Sequence, residues 1–452
     1  MSFTVLSPTA ILGYGFPLSS FMKGMEMNPN LIAVDAGSTD PGPYYLGSGK
    51  PFTNRTGVKR DLRYILKEGI PRGIPVVIGT AGGSGAKSHV DWCRNIIRET
   101  ASEEGLRFTL SVIYADIDKK IVAEKLSEGT ITPLQGAPQV SPDELKKIPN
   151  IVAQMGIEPI QEALERGAQV VLCGRAYDPA VFAALPIQMG YDPGLAIHMG
   201  KILECAAIAA EPGSGSDSVI GKLDKESFTL IPLSAERKFT SRSTAAHTLY
   251  EKSDPYHLLG PGGMLNLEKT AFSDNGDGTV TVRGSRFETS DRYVVKLEGA
   301  KKAGFRCLSI AGIRDKILIN QIEAVLKTVE TRIKETLHYE GIRGTIYFKI
   351  YGKNGVMGDL EHMADSASRG HELCVIIETL GPSQHEADTI CSLARSTLLH
   401  YGYPGRISTA GNLAFPFSPS DIPMGEAYEF ALYHLLPCNP KEHFPIHFLE
   451  VP

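Results

Sequence analysis

Leu31-Ile32-Ala33-Val34-Asp35-Ala36-Gly37-Ser38-Thr39-Asp40-Pro41-Gly42 is the stretch that decides how this chain folds. A short apolar run ends in one carboxylate and then breaks into small, turn-forming residues that carry a second. An all-apolar run suits a strand covered on both faces, and α/β proteins gather their ligands where such strands end. The same pattern returns twice. Ile74–Ile78 runs into Gly79-Thr80-Ala81-Gly82-Gly83-Ser84-Gly85, and Gln169–Cys173 runs into Gly174-Arg175-Ala176-Tyr177-Asp178-Pro179. Parallel strands deliver their C-terminal loops to one edge, so Asp35, Gly82 and Arg175 are expected to line one pocket.

Working outward, helical patterns over 57–68, 86–103 and 119–127 alternate with apolar strands, including 107–114. Residues 142–166 read as helical with a break near Pro149, and Pro193–Ala210 reads as a largely buried helix. The fold class is therefore α/β, with a mainly parallel, Rossmann-like sheet in residues 1–215. The Gly/Ser stretch 211–217 marks the expected boundary, and 216–452 reads as a second, α+β domain. There, Asp274-Asn275-Gly276-Asp277-Gly278 is a hairpin turn that lacks the twelfth-position carboxylate of a calcium loop. Asp315–Leu337 and Gln384–His400 read as helices, and Tyr347–Tyr351 and Glu372–Thr379 as strands.

Composition narrows the function. A net charge of −5 offers no basic face to nucleic acid or anionic lipid. The apolar runs are too short for a membrane helix, and the N-terminus lacks a signal-peptide pattern, so a cytoplasmic protein is expected. Seven cysteines stand without any C-x-x-C pair, the usual spacing for zinc or iron–sulfur ligation. No metal ligand set is expected, although carboxylates at Asp35, Asp40 and Asp178 leave a divalent cation open.

The strand-end loops supply most of the candidate chemistry. Asp35 and Asp40 are candidate acid–base groups, with Ser38 and Thr39 between them as hydroxyl donors; an Asx-turn is the plainer reading. Gly82, Gly83, Ser84 and Gly85 lie between a strand and a helix, where glycine amides and a helix N-terminus suit an anion. A tight turn packed closely by glycine is the alternative. Arg175, Tyr177 and Asp178 offer a guanidinium fork, a phenol and a carboxylate; Arg175 is the candidate substrate anchor, while Asp178 could equally cap a helix. His198, Lys201 and Cys205 share one helical face, with Glu204 at its border. His247, Tyr250 and Glu251 fall at i, i+3 and i+4 after Arg242. On a continuous helix the Glu251 carboxylate would orient the His247 ring and raise its pKa toward neutrality.

These segments together resemble the acyclic terpene utilisation (AtuA-like) family. The resemblance rests on Gly13-Tyr14-Gly15-Phe16-Pro17, the 35–42 and 79–85 segments, Gly174–Pro179 and Ala246-His247-Thr248-Leu249-Tyr250-Glu251. Tyr403-Pro404-Gly405-Arg406 and Gly411–Pro419 extend it toward the end of the chain. It implies breakdown of branched or unsaturated carboxylic acids, free or as CoA thioesters. Longer members carry a further C-terminal ferredoxin-like domain; its lack here implies a small companion subunit of that fold and a hetero-oligomer.

The leading expectation is a hydro-lyase acting on a mesaconate- or citramalate-like acid or its CoA thioester. Such a reaction needs an anion clamp, an acid and a base, and no redox cofactor. Arg175 and the Gly82–Gly85 amides would clamp the substrate, and Asp35, Asp40 or His247, with Glu251 behind it, would move protons. Arg242 and Tyr177 complete the expected binding set. Another acyl-CoA-directed enzyme, such as a carbon–carbon lyase or thioesterase, and a non-catalytic scaffold subunit remain the alternatives. Several perturbed ionisable groups in one cleft would favour an enzyme.

Overall fold

The computed structural model describes residues 2–362 and 370–452. The chain divides into two compact units, residues 1–301 with 430–452, and residues 302–429.

The first unit is built on a mixed sheet of ten strands among the described residues. At its centre Phe3–Ser7, Leu31–Asp35, Val76–Gly79, Val170–Cys173 and Phe108–Ile113 lie side by side and parallel. Leu31–Asp35, Val76–Gly79 and Val170–Cys173 are buried at every position, which is why they read as continuous apolar runs rather than alternations. Antiparallel strands extend both flanks. Val219–Leu223 pairs with Phe3–Ser7 and carries Ser227–Pro232, Val280–Arg283 and Ala271–Asp274 beyond it. Ile446–Val451 pairs with Phe108–Ile113 at the other edge. The protein is thus mixed α/β, with parallel strands inside a large mixed sheet and further antiparallel sheets beside it.

The units do not divide near residue 215, because the strands at 219–223 and 227–232 join the same sheet as the N-terminal strand. The Gly/Ser stretch is a turn folded back on that strand's exit. The Gly215 carbonyl accepts from Ala10 N at 3.1 Å and from Thr9 Oγ1 at 2.9 Å. Turn-forming composition marks a change of direction and need not mark a linker. A second difference lies in 142–166. Asn150–Ala153 is a strand paired with Leu297–Ala300, set between the short helix Pro142–Lys146 and the helix Glu158–Glu165. Pro149 and the β-branched pair Ile151-Val152 favour that outcome locally.

Two packed helices bring together several ionisable side chains. Pro193 starts the second at its first turn, and the Asp192 side chain caps it by accepting from Leu195 N at 2.9 Å. From Gly194 to Leu203 every residue is buried. A Cβ at Gly200 would stand 2.5 Å from the Pro179 carbonyl oxygen. Only glycine lets this helix approach the start of the helix Asp178–Gln188 so closely, and that approach sets Lys201 and Glu204 beside Asp178. A small antiparallel sheet, His257–Gly260, Gly263–Asn266 and Arg286–Thr289, completes the neighbourhood.

The second unit runs strand, helix, strand, strand, helix, strand. Its first and last strands are portions of Val294–Ile313 and Asp421–Pro437, the two long strands in which the division falls. The spatial order places Thr345–Tyr351 at the edge, then Leu373–Gly381, Val294–Ile313 and Asp421–Pro437. This is the split βαβ arrangement called ferredoxin-like. Asp315 caps the helix Lys316–Glu340 by accepting from Leu318 N at 3.0 Å, and Gly341, at φ 68°, ends it. Leu318, Ile322, Val325 and Val329 pack with Val375, Ile377, Ile390 and Ala394. A ferredoxin-like arrangement is therefore present inside this chain, which the sequence reading did not anticipate. No helix among the described residues is long and apolar enough to cross a membrane.

Candidate active site

A cavity of about 860 Å³ opens in the first unit. Its polar wall carries Asp40, Arg175, Asp178, Lys201, Glu204 and Lys252, and the Gly260–Met264 hairpin closes another side.

Arg175 is only 2% exposed, and its Nε and Nη1 are both engaged inside the protein. Nε donates to Glu298 Oε2 at 2.7 Å, and Nη1 donates to Asp178 Oδ1 at 2.9 Å and to the Ala176 carbonyl at 2.7 Å. Glu298 also receives Lys296 Nζ at 2.7 Å and Thr39 Oγ1 at 2.9 Å. Burial opposes the charge on Glu298, yet Arg175 and Lys296 outweigh it and hold the carboxyl at about 2. Arg175 lines the cavity as expected but works as its internal brace rather than as a free substrate fork.

The reactive-looking groups stand next to that brace. Lys201 Nζ donates to Glu204 Oε1, while Glu204 Oε2 is buried with no hydrogen-bond partner. Burial pushes the Glu204 carboxyl up to about 7; Lys201 pulls the other way, and the nearby Asp178 charge adds to the rise. Lys252 makes no ion pair among the described residues, and its ammonium sits 5.9 Å from the Tyr177 ring centroid. Burial first, and then the charge of Lys201, lower its pKa. The wall therefore holds a carboxyl poised near neutrality beside an ammonium that makes no contact ion pair, the environment in which proton transfer on an anionic ligand is favourable.

Asp35 lies just behind this wall. It is buried, and its Oδ1 accepts from Ala36 N at 2.9 Å. Burial, reinforced by the charges of Asp178 and Glu204, raises its pKa well above the carboxylate range. From the same loop Asp40 reaches the cavity, accepting from Ser38 Oγ at 2.8 Å, whereas Thr39 is turned to Glu298.

The glycine loop does not reach the cavity. The three strand ends do share one edge, but they pack against one another there. A Cβ at Gly82 would lie 2.6 Å from His89 Cβ, one at Gly83 2.6 Å from Phe52 Cβ, and one at Gly85 2.1 Å from Arg175 N. The amides of Gly83 and Gly85 donate to Thr80 and Ala81 carbonyls, and the Ser84 amide and hydroxyl both face His89 Nδ1. The following helix, Lys87–Glu104, has its first amide taken by Asp116 Oδ1 at 3.1 Å. Three of the four amides expected to cradle an anion, those of Gly83, Ser84 and Gly85, are spent inside the protein.

His247 also differs from expectation. Its helix, Ser241–Thr248, ends one residue later, so the i+4 spacing fails. Glu251 sits at φ 60° on the cavity wall and bonds the Tyr250 hydroxyl instead of the imidazole. The ring is buried and stacked on Tyr250 at 5.2 Å, and burial, then Lys201, lower its pKa to about 4. Arg242 is exposed near the start of the helix, off the wall. His198 is a core residue, bonded to Ser285 and Thr248 and lowered to about 3 by burial and Lys201.

Lys252, Lys296 and Glu298 escaped the sequence reading. For the last two a signal existed: Lys296 and Glu298 interrupt Val294-Val295-Lys296-Leu297-Glu298 two residues apart, and so share one face of a strand. Lys252 had none. Backbone strain adds a mark of its own, because left-handed φ values at Thr80, Ala206 and Glu251, all non-glycine, surround the cluster. No group of three or more His, Cys, Asp or Glu side chains among the described residues is placed to hold a metal ion.

Residues 54–413 match the model of a family described as acyclic terpene utilisation family protein AtuA. No curated protein and no solved structure matches the chain.

Proposed function

The chain belongs to the acyclic terpene utilisation (AtuA) family, and from that premise we propose that it is a hydro-lyase for a small unsaturated or hydroxylated carboxylic acid or its thioester. The observation that carries the reading is Glu204, a residue of the cavity wall whose buried Oε2 has no hydrogen-bond partner and whose carboxyl is held at about 7. In the hydration direction the Lys252 ammonium meets the substrate carboxylate or thioester oxygen and stabilises the negative charge that develops there. Asp40 takes a proton from water as its oxygen bonds the β-carbon, and Glu204 gives its proton to the α-carbon. Dehydration runs the same steps backward. A carboxyl near neutrality serves both directions, since each protonation state is well populated at pH 7. The cavity volume is that of a small-molecule site.

Several perturbed groups in one cleft support an enzyme over a ligand-holding scaffold. The test is a panel of unsaturated and hydroxy acids, free and as CoA thioesters, followed by absorbance at the enoate band across pH. Turnover is expected, with a limb of the kcat/KM profile near pH 7 that disappears in Glu204→Gln. Enoate turnover that keeps this limb in Glu204→Gln overturns the assignment.

A further inference from the structure

We propose that the edge strand Thr345–Tyr351 of the second unit is a self-association surface, pairing antiparallel with the same strand of a second copy of this chain. Among the described residues this strand pairs on one side only, with Leu373–Gly381. It is seven residues long, with neither proline nor glycine. Its one charge, Lys349, is bound by Glu378 of the neighbouring strand, so it does not guard the edge as a free lysine would. An open edge of this kind presents unpaired backbone donors and acceptors to any strand that can match them.

A second copy matches them. In a two-fold pairing centred on Phe348, Thr345 faces Tyr351, Ile346 faces Ile350, and Tyr347 faces Lys349. All seven residues are used. The Ile346 and Ile350 face, which packs toward the helices in each unit, stays continuous across the junction. On the other face Lys349 lies across from Tyr347, a favourable cation–aromatic pair, and no like charges meet. Centring the pairing on Lys349 would set that residue against itself, so charge selects the register. Tyr347 and Tyr351 are 49% and 43% exposed, and Val356 and Leu360 in the following segment are 81% and 71% exposed. The two tyrosines, on the strand itself, supply apolar area that pairing covers.

The test compares the parent chain with two double variants at the same exposed positions, Thr345 and Tyr351, by light scattering and sedimentation over a concentration series. The parent is expected to be dimeric or of higher even order. Thr345→Lys with Tyr351→Lys places two like-charged pairs across the junction and should weaken association by about tenfold or more. Thr345→Glu with Tyr351→Lys places two opposite-charged pairs there and should retain the parent state. Circular dichroism checks that both variants fold. A parent that stays monomeric at all concentrations overturns the proposal. So does an oligomer that ignores the Lys/Lys variant, or one that both variants break equally.

Discussion

The glycine loop at 79–85 and the end of the helix at 193–203 make an instructive pair. The loop looks like a ligand cradle: small residues, amides to spare, a helix behind. The helix reads as largely buried core, with His198, Lys201 and Glu204 set among apolar residues. In the folded protein the loop is solid packing and the helix end carries the proposed proton donor. Glycine permits close approach of backbone to backbone as readily as backbone to ligand, and here protein segments take the space. Conversely, a buried helix can deliver Lys201 and Glu204 only because their charges meet each other and the Asp178–Arg175–Glu298 array.

The sharpest way to break the comparison is to remove the proposed proton carrier. Glu204→Gln should lower turnover by about 10²–10⁴-fold on the substrate found, measured per mole of folded protein. Activity near the parent's would return the acid–base role to Asp35 or Asp40.

Arg175→Met tests the brace. Glu298 is fully buried and keeps only Lys296 as a cation, so the variant should lose about 3–5 kcal/mol in chemical denaturation. If Arg175 were instead a substrate fork, the same change would raise KM in a protein of parental stability.

Gly82→Ala addresses the loop itself. A Cβ against His89 at φ 66° should cost about 2–4 kcal/mol through strain and overpacking, with KM unmoved in what remains folded. A raised KM without loss of stability would show the amides to be binding groups after all.

The smallest effect concerns His247. Its folded pKa, about 4, lies below the ordinary 6.5, so the unfolded chain binds the extra proton first. The neutral ring's contribution is complete above about pH 6.5 and is lost as pH falls toward 4. His247→Gln should flatten stability across that window and leave turnover within a few-fold. A turnover loss comparable to that of Glu204→Gln would reinstate His247 as the proton carrier.

Much of the frame was legible before folding. The buried strands at 31–35, 76–79 and 170–173 announce themselves because a strand covered on both faces must be apolar throughout. The helix Gln384–His400 begins and ends where its pattern does. The loops after the three strands were placed on one edge, as parallel strands require. What failed was inference from composition to role. The Gly/Ser composition of 211–217 suggests a domain boundary, but the stretch is a turn held to the Thr9–Ala10 segment through the Gly215 carbonyl, and the spacing of His247 and Glu251 suggests one helical face although the helix stops at Thr248.

The amino-acid sequence by itself determined the parallel strands, most of the helices and the family, because these depend on local periodicity and contiguous motifs. Which side chains meet depended on tertiary structure alone. Lys252, the Lys201–Glu204 pair, Asp178 and Lys296 come from four separate segments, and nothing local marks those segments as neighbours. Their ionisation is likewise a property of the assembled site: burial, aided by Asp178 and opposed by Lys201, brings Glu204 to about 7, and Arg175 and Lys296 keep Glu298 charged where no water reaches it.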